Sequence, residues 1–288
     1  MNTKYRLITD SGSDIPKELE IRYRIDIMPF SILIDGREYW EGIDLTSHQF
    51  YKLADLSPEI PKTNQITAER FEQKFLECAA DGVTDAIVVL INSAGSQTYL
   101  NAVKAKTNLD DQNKLENINI HIIDSHAYSI GYGYAMVEAA KKLSAGKSVK
   151  SVLDYLEDWF ASIYTYVVGF DLRHMKKSGR ISAAASFMGE IMGLRPIIEM
   201  KNNETRVVQK VRGDKAVIDA AIEYISGIMV PETPWIFLRT TVTEYENAFI
   251  KGFLKKIGYK QAFESYSGCA VSSNAGTKIL AVIVRGSK

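Results

Sequence analysis

Three polar pairs stand where apolar runs end: Asp10-Ser11, Asn92-Ser93 and Asp124-Ser125. The middle pair opens the stretch Asn92 to Thr98, which offers hydroxyls at Ser93, Ser96 and Thr98, a glycine at Gly95 for close backbone approach, and no lysine or arginine. Groups of this kind hold an anion through neutral hydrogen-bond donors and the N-terminus of a following helix. They do not make a nucleophile unaided, because a serine needs a base and the sequence identifies none. His126, beside the third pair, is a candidate base or anion donor, with an ordinary surface histidine as the alternative. Asp and Ser also cap helices, so capping competes with a shared rim of donors as the reason for the repeated pattern.

The elements that carry these pairs read as βα units. Tyr5 to Thr9, Ala86 to Ile91 and Ile118 to Ile123 are short apolar runs rich in β-branched residues, the pattern of parallel strands buried on both faces. Each runs into its polar loop and then a helical stretch, the layout that puts ligands at the carboxyl edge of an open sheet. Pro16 suits the first turn of a helix after Ser13 or Asp14. Ile25 to Ile34 reads as extended, and Asp35-Gly36 as a hairpin turn back through Arg37 to Trp40. Thr46 or Ser47 opens a short helix, Ser57 to Gln65 with its two prolines reads as a loop, and Thr67 caps a helix bearing Phe71, Phe75, Cys78 and Ala79. Ser148 caps another helix, striped by Val152, Leu156 and Phe160.

A chain of 288 residues is long for one core, and the boundary falls near residues 161 to 165. The expected fold class is therefore two-domain α/β. Residues 1–163 form an N-terminal domain with an open parallel sheet flanked by helices, and residues 164–288 a C-terminal α/β domain with a mixed sheet. In the second half Tyr164 to Phe170, Pro196 to Met200, Thr205 to Val211, Trp235 to Thr240, Tyr259 to Tyr266 and Ile279 to Arg285 read as strands. Gly213-Asp214 and Thr243 open helices. Ser272 to Thr277 reads as a further small polar loop, with Ser273 and Asn274 inside it. Phe187, Met188, Ile191 and Met192 suit either plain core or an adaptable apolar wall. Arg173 to Arg180 is a basic helix end.

Composition limits the function. The formal net charge is zero and the sequence pI about 6.9, against a general nucleic-acid or membrane-surface role. No Walker loop, GxGxxG, HExxH or GxSxG motif occurs, and His48, His121, His126 and His174 show no metal-ligand spacing. Cys78 and Cys269 read as reduced core thiols. The opening residues form a strand pattern rather than a signal-peptide core, and no run has the apolar length of a membrane span, so the expected location is cytoplasmic.

Along nearly its full length the chain resembles the DegV family. TDSGSDIP at residues 9–16 is similar to that family's DSxxDLP opening, and residues 28–46 to its hairpin segment. KTNQIT (62–67) resembles a KTSQPS-like stretch, NSAGSQTY (92–99) resembles SSxLSGTY, and DSHAYSIGYG (124–133) resembles DSxxxSxGxG. MKKSGRIS (175–182) is close to LxKGGRIS, LRPII (194–198) to IKPIL, and residues 271–284 to SSHCGPxTLG with its apolar strand. The number, order and spacing of these motifs carry the resemblance.

It implies a non-catalytic protein that holds one long-chain fatty acid between its domains and presents the carboxylate to a separate fatty acid kinase subunit for acyl-phosphate formation. It implies no cofactor beyond the bound fatty acid, no metal, no nucleic-acid partner and only transient membrane contact. Thr63 and Ser93 match the carboxylate donors, and Asn64 and Asn274 complete the expected carboxylate-binding set. Ser11, Ser96, Ser125, His126 and Ser273 are further rim candidates. Lys176 and Arg180 would face the kinase or its phosphoryl group. The departures from the pattern include Asn64 for a serine, Gln97 for a glycine, Asn274 for the family histidine and Thr277 for the proline after Gly276. Asn donates a neutral hydrogen bond, roughly half as strong as a charge-assisted one. Two rivals stand beside this reading: an enzyme acting on a small polar or phosphorylated substrate at the same rim, and a lipid carrier or sensor without a kinase.

Overall fold

The structure, a computed structural model, describes residues 4–186 and 193–286. The elements of the first half are β1 (Tyr5–Asp10), α1 (Lys17–Tyr23), β2 (Ile25–Met28), β3 (Ser31–Ile34), β4 (Arg37–Trp40), α2 (Ser47–Leu56), β5 (Lys62–Asn64), α3 (Ala68–Ala80), β6 (Asp85–Leu90), α4 (Thr98–Asp111), β7 (Asn119–Asp124), α5 (Ile130–Ser144) and α6 (Val149–Ser162). The second half adds β8 (Ile163–Gly169), α7 (Arg173–Ser178), α8 (Ser182–Ser186), β9 (Leu194–Lys201), β10 (Glu204–Arg212), α9 (Asp214–Ile228), β11 (Ile236–Arg239), α10 (Thr243–Ile257), β12 (Phe263–Tyr266), α11 (Cys269–Ala275) and β13 (Ile279–Arg285).

Strands β2-β1-β6-β7 form an all-parallel sheet in that order. Ala86 to Leu90 of β6 is buried on both faces, as an unbroken apolar run requires. Because β1, β6 and β7 are adjacent and parallel, their carboxyl ends share one edge. That edge carries the three polar pairs.

The second sheet is mixed, in the order β10-β9-β8-β13-β11-β12, with β13 antiparallel to both β8 and β11. Side chains alternate across it. Val167, Ile279, Ala281 and Ile283 join the core shared with the parallel sheet, whereas Tyr166, Val168, Leu280, Val282 and Val284 join a separate core with α9 and α10. This two-sided burial explains why β13 is apolar at successive positions.

Helix α5 lies between the sheets and contacts β1 and β6 on one side and β11 and β12 on the other. Tyr132, Ala135, Met136, Val137 and Ala139 are fully enclosed, so the helix is apolar all round. Its small residues set the spacing: a methyl added at Gly133 would collide with the carbonyl oxygen of Ser13. Elsewhere α2 begins with a capping box, Thr46 and Gln49 each bonding the other's backbone.

Three readings of the sequence need correction. Residues 57–65 are not all loop: Lys62–Asn64 forms β5, which pairs antiparallel with β3 and sets Thr63 opposite Ile32. A three-residue edge strand after two prolines is too short to show alternation. Residues 25–34 form two strands, not one, because the chain leaves the parallel sheet after Met28 and enters the three-stranded β4-β3-β5 sheet at Ser31. Most of the supposed loop at 272–277 is helix α11. Its polar residues bond backward within the helix: Ser273 Oγ donates to the Cys269 carbonyl at 2.7 Å and Asn274 Nδ2 to the Ala270 carbonyl at 2.8 Å. Gly276, at φ +89°, ends it. The apolar candidates Phe187, Met188, Ile191 and Met192 lie outside the described residues. Cys78 and Cys269 are free and buried. Among the described residues no helix is long and apolar enough to cross a membrane.

Candidate functional site

A cavity of about 380 Å³ lies between the carboxyl edge of the parallel sheet and the inner face of the mixed sheet. That size falls in the range of small-molecule sites. One wall is the loop Ser93 to Gln97, with Thr63 of β5 beside it; the opposite wall is Thr165 and Val167 of β8 with Ile279, Ala281 and Ile283 of β13. Tyr128 and Ser129, at the entry to α5, close one side, and Ala270, Val271, Asn274 and Ala275 of α11 another. Arg180, exposed, lies at the margin and donates through a guanidinium nitrogen to the Ser178 carbonyl at 2.8 Å.

The polar residue of each strand-end pair builds a turn. Asp10 Oδ1 accepts from Gly12 N at 3.0 Å, Asn92 Oδ1 from Ala94 N at 2.8 Å, and Asp124 Oδ1 from His126 N at 3.0 Å. These are Asx turns, in which a side chain replaces a backbone acceptor two residues on. The outer two also reach to the segment that follows β6: Asp10 Oδ2 accepts from Ile91 N at 2.8 Å, and Asp124 Oδ1 from Ser93 N at 3.1 Å. The repeated pattern therefore records loop bracing. Only Ser93 of the three serines lines the cavity.

Of the other candidates, Thr63, Ser96, Asn274 and Arg180 also line it. Ser11 bonds Glu41 Oε2 at 2.6 Å and accepts from Phe30 N, beside a different cleft. Ser125 is buried and bonds the Ala127 carbonyl. His126 faces solvent and pairs with Asp124 at 3.3 Å. Ser273 is turned into its own helix. Asn64 donates to Ser31 and Glu38 within the small sheet, because alternation along β5 points it away from Thr63. Lys176 is exposed and outside the cavity lining.

The hydroxyls of Thr63 and Ser93 make no hydrogen bond with any described residue, so each is free to meet a ligand. The same holds for Thr165 in the apolar wall and for the hydroxyl of Tyr128. Neither was singled out in the sequence. Tyr128 sits at an unpatterned position between Asp124-Ser125 and Ser129, and Thr165 inside a strand, so neither has a local signal. Burial pushes the Tyr128 phenol up to about 12 against the opposing influence of Arg180, so it stays protonated and can donate. Gly95 leaves room for Tyr128 rather than for a ligand: a methyl there would overlap the Tyr128 hydroxyl and ring edge.

Helix α11 is held from the first half of the chain by two buried carboxyls. Asp14 Oδ1 accepts from Gly268 N at 2.9 Å and Glu41 Oε1 from Ala270 N at 3.0 Å. Ser129 Oγ donates to the other Asp14 oxygen, and Tyr51 donates to the Ser267 carbonyl at 2.5 Å. Burial raises Glu41 to about 7 and Asp10 to about 6, and raises Asp14 well above the ordinary range, with Glu41 adding to the rise. No group of three metal-ligating side chains converges among the described residues.

The cavity offers an apolar strand wall together with neutral hydroxyl donors. Proteins of this architecture are known. A DegV family protein from Thermus thermophilus, described for its fatty acid binding, superposes with a TM-score of 0.86 at 21% identity, covering 99% of this chain and all of that one. A stearic-acid-binding protein from Eubacterium ventriosum gives a TM-score of 0.86 at 22% identity over 98% of each chain. At these identities the likeness establishes the fold. In sequence, a DegV domain-containing protein of Caldanaerobacter subterraneus subsp. tengcongensis is 30% identical over 275 residues, 95% of each chain. The family model for DegV proteins matches residues 4–286, spanning both sheets and every wall of the cavity, so the chain belongs to the DegV family.

Proposed function

We propose that the protein binds one long-chain fatty acid between two domains, 1–163 and 164–288, and presents its carboxylate at the cavity margin to a separate kinase subunit for acyl-phosphate formation. The observation that carries this reading is the cavity's division. Its β8 and β13 wall is apolar apart from Thr165, while the unpartnered hydroxyls of Thr63 and Ser93 belong to the β5 and strand-end segments. A buried acyl chain contributes roughly 0.8 kcal/mol per methylene, so the head group needs only orientation and satisfied hydrogen bonds. The two structural neighbours described above are named for fatty-acid binding, which supports the same class here.

In this reading Thr63 and Ser93 donate to the carboxylate. Asn274 has one amide hydrogen committed to Ala270 and one remaining for the ligand. Neutral donors leave carboxylate oxygens nucleophilic toward a phosphoryl group, whereas a buried arginine pair would compete with that transfer. Arg180 and Lys176, both exposed, are the cations we assign to the kinase-facing side. No residue here is assigned a catalytic role, and no cofactor is invoked.

Native and denaturing mass spectrometry of the purified protein, with organic extraction, tests the binding. A mass excess that is lost on denaturation and yields a fatty acid is the expected result. A ligand-free mass together with no uptake of added oleate would overturn the reading. Transfer of phosphate from ATP to the bound acid only when a kinase subunit is added tests the partner. Acyl-phosphate formation by the protein alone would make it an enzyme.

A further inference from the structure

We infer that the Tyr128 hydroxyl is a third head-group donor, one that selects a carboxylate over an uncharged lipid head; this rests on the fatty-acid reading above. Tyr128 lines the same cavity as Thr63 and Ser93. Its ring edge and hydroxyl lie against Gly95, two residues along the loop from Ser93. That contact places the hydroxyl beside the loop that carries Ser93. The ring is half-buried, yet the hydroxyl has no bond to any described residue. The hydroxyl opens into the cavity and has its proton to give to whatever occupies it.

A charged acceptor gains most from such a donor, because a charge-assisted hydrogen bond is roughly twice as strong as a neutral one. A neutral phenol carries a single O–H to give. Arg180 and Asp124 both act on the Tyr128 phenol electrostatically, in opposite directions. The family histidine is replaced by Asn274, whose amide is half used within α11. Tyr128 thus adds a donor in a cavity where the polar group of α11 offers only a neutral one. The site discriminates because the phenol's bond to a carboxylate is stronger than its bond to a neutral hydroxyl.

The test uses the delipidated full chain and two probes with the same hydrocarbon tail, oleate and oleyl alcohol. Tyr128→Phe keeps the ring against Gly95 and removes only the hydroxyl. Oleate affinity is expected to fall roughly tenfold, the scale of one hydrogen bond to a charged group, and oleyl alcohol only about two- to threefold, the scale of a weak neutral one. Tyr128→Leu removes the ring as well and is expected to weaken oleate at least as much, which keeps the test intact if the Phe variant folds poorly. Equal weakening of both probes in Tyr128→Phe would make the hydroxyl structural and overturn the inference. Unchanged oleate affinity in that variant would overturn it while leaving fatty-acid binding in place. Failure of the unmodified chain to bind oleate would remove both.

Discussion

The Asp124 carboxylate holds the backbone of Ser93: its Oδ1 accepts the Ser93 N–H at 3.1 Å while also accepting from His126 N at 3.0 Å. One oxygen thus closes an Asx turn in its own loop and anchors the neighbouring loop that carries the proposed donor. Asp124→Ala is expected to lower stability by about 1–2 kcal/mol and oleate affinity by roughly fivefold. Asp124→Asn keeps an acceptor and is expected to bind within twofold of the unmodified chain. Thermal melts with oleate titrations check both, and an unaltered affinity in the alanine variant would detach Ser93 placement from Asp124.

The same pair shows how far the sequence could be read. The three βα units were legible because β1, β6 and β7 are apolar runs that end in polar pairs, and their parallel adjacency follows from that layout. Which serine meets the cavity was not legible, since Ser11, Ser93 and Ser125 stand at equivalent positions and only tertiary packing separates them. Ser11 is drawn to Glu41, 30 residues away, and Ser125 to its own turn. Helix α11 looked like a loop because Ser, Asn and Gly favour loops locally; buried carboxyls at Asp14 and Glu41 hold its start from more than 200 residues away. Tyr128 left no trace because its meaning depends on Gly95 in a different loop. The DegV resemblance, by contrast, rested on many short motifs in order, and it picked out Thr63 and Ser93 where periodicity could not.

Ser93→Ala removes a hydroxyl that has no partner among the described residues, so the fold should lose little, less than about 1 kcal/mol. Retention of extracted fatty acid is expected to fall about tenfold, and acyl-phosphate formation with the kinase to fall further, because the carboxylate loses orientation as well as affinity. Ser93→Thr keeps the hydroxyl and is expected to recover most of the retention. Normal ligand content and normal transfer in the alanine variant would count against Ser93 as a donor.

Stability should fall as pH rises from 5 to 8. Burial places Asp10 at about 6 and Glu41 at about 7 in the folded chain, above ordinary values of 3.8 and 4.5. The folded protein therefore keeps protons that the unfolded chain has released. The stability this contributes is complete below about pH 4 and is lost as pH rises through 6 to 7. The whole effect is on the order of 3 kcal/mol per group at most. Asp14, raised in the same direction, extends the window upward. Asp85 and Asp171 are lowered and act only in acid, below this range. Glu41→Gln, neutral at every pH, should flatten the decline in Tm between pH 5 and 8. A Tm that climbs across that interval would show these carboxyls to be ionised and well compensated.

Ala281 sets how much room the cavity has along β13. It is almost fully buried, lies between Ile279 and Ile283 on the inner face, and shares that wall with Val167 of the paired β8. Ala281→Leu puts three more carbons into the space the acyl chain would fill rather than into packed core, so overpacking should cost at most about 1 kcal/mol without ligand. Each methylene excluded from the cavity forfeits roughly 0.8 kcal/mol, about fourfold in affinity. Across saturated acids of increasing length, the variant should bind short chains within threefold of the unmodified protein and lose roughly 10- to 100-fold on the longest. Ser93→Ala should instead weaken all lengths by a similar factor, because it acts on the head group. A uniform loss in Ala281→Leu would place the chain elsewhere than against β13; a length-dependent loss would fix the β13 face as the acyl wall.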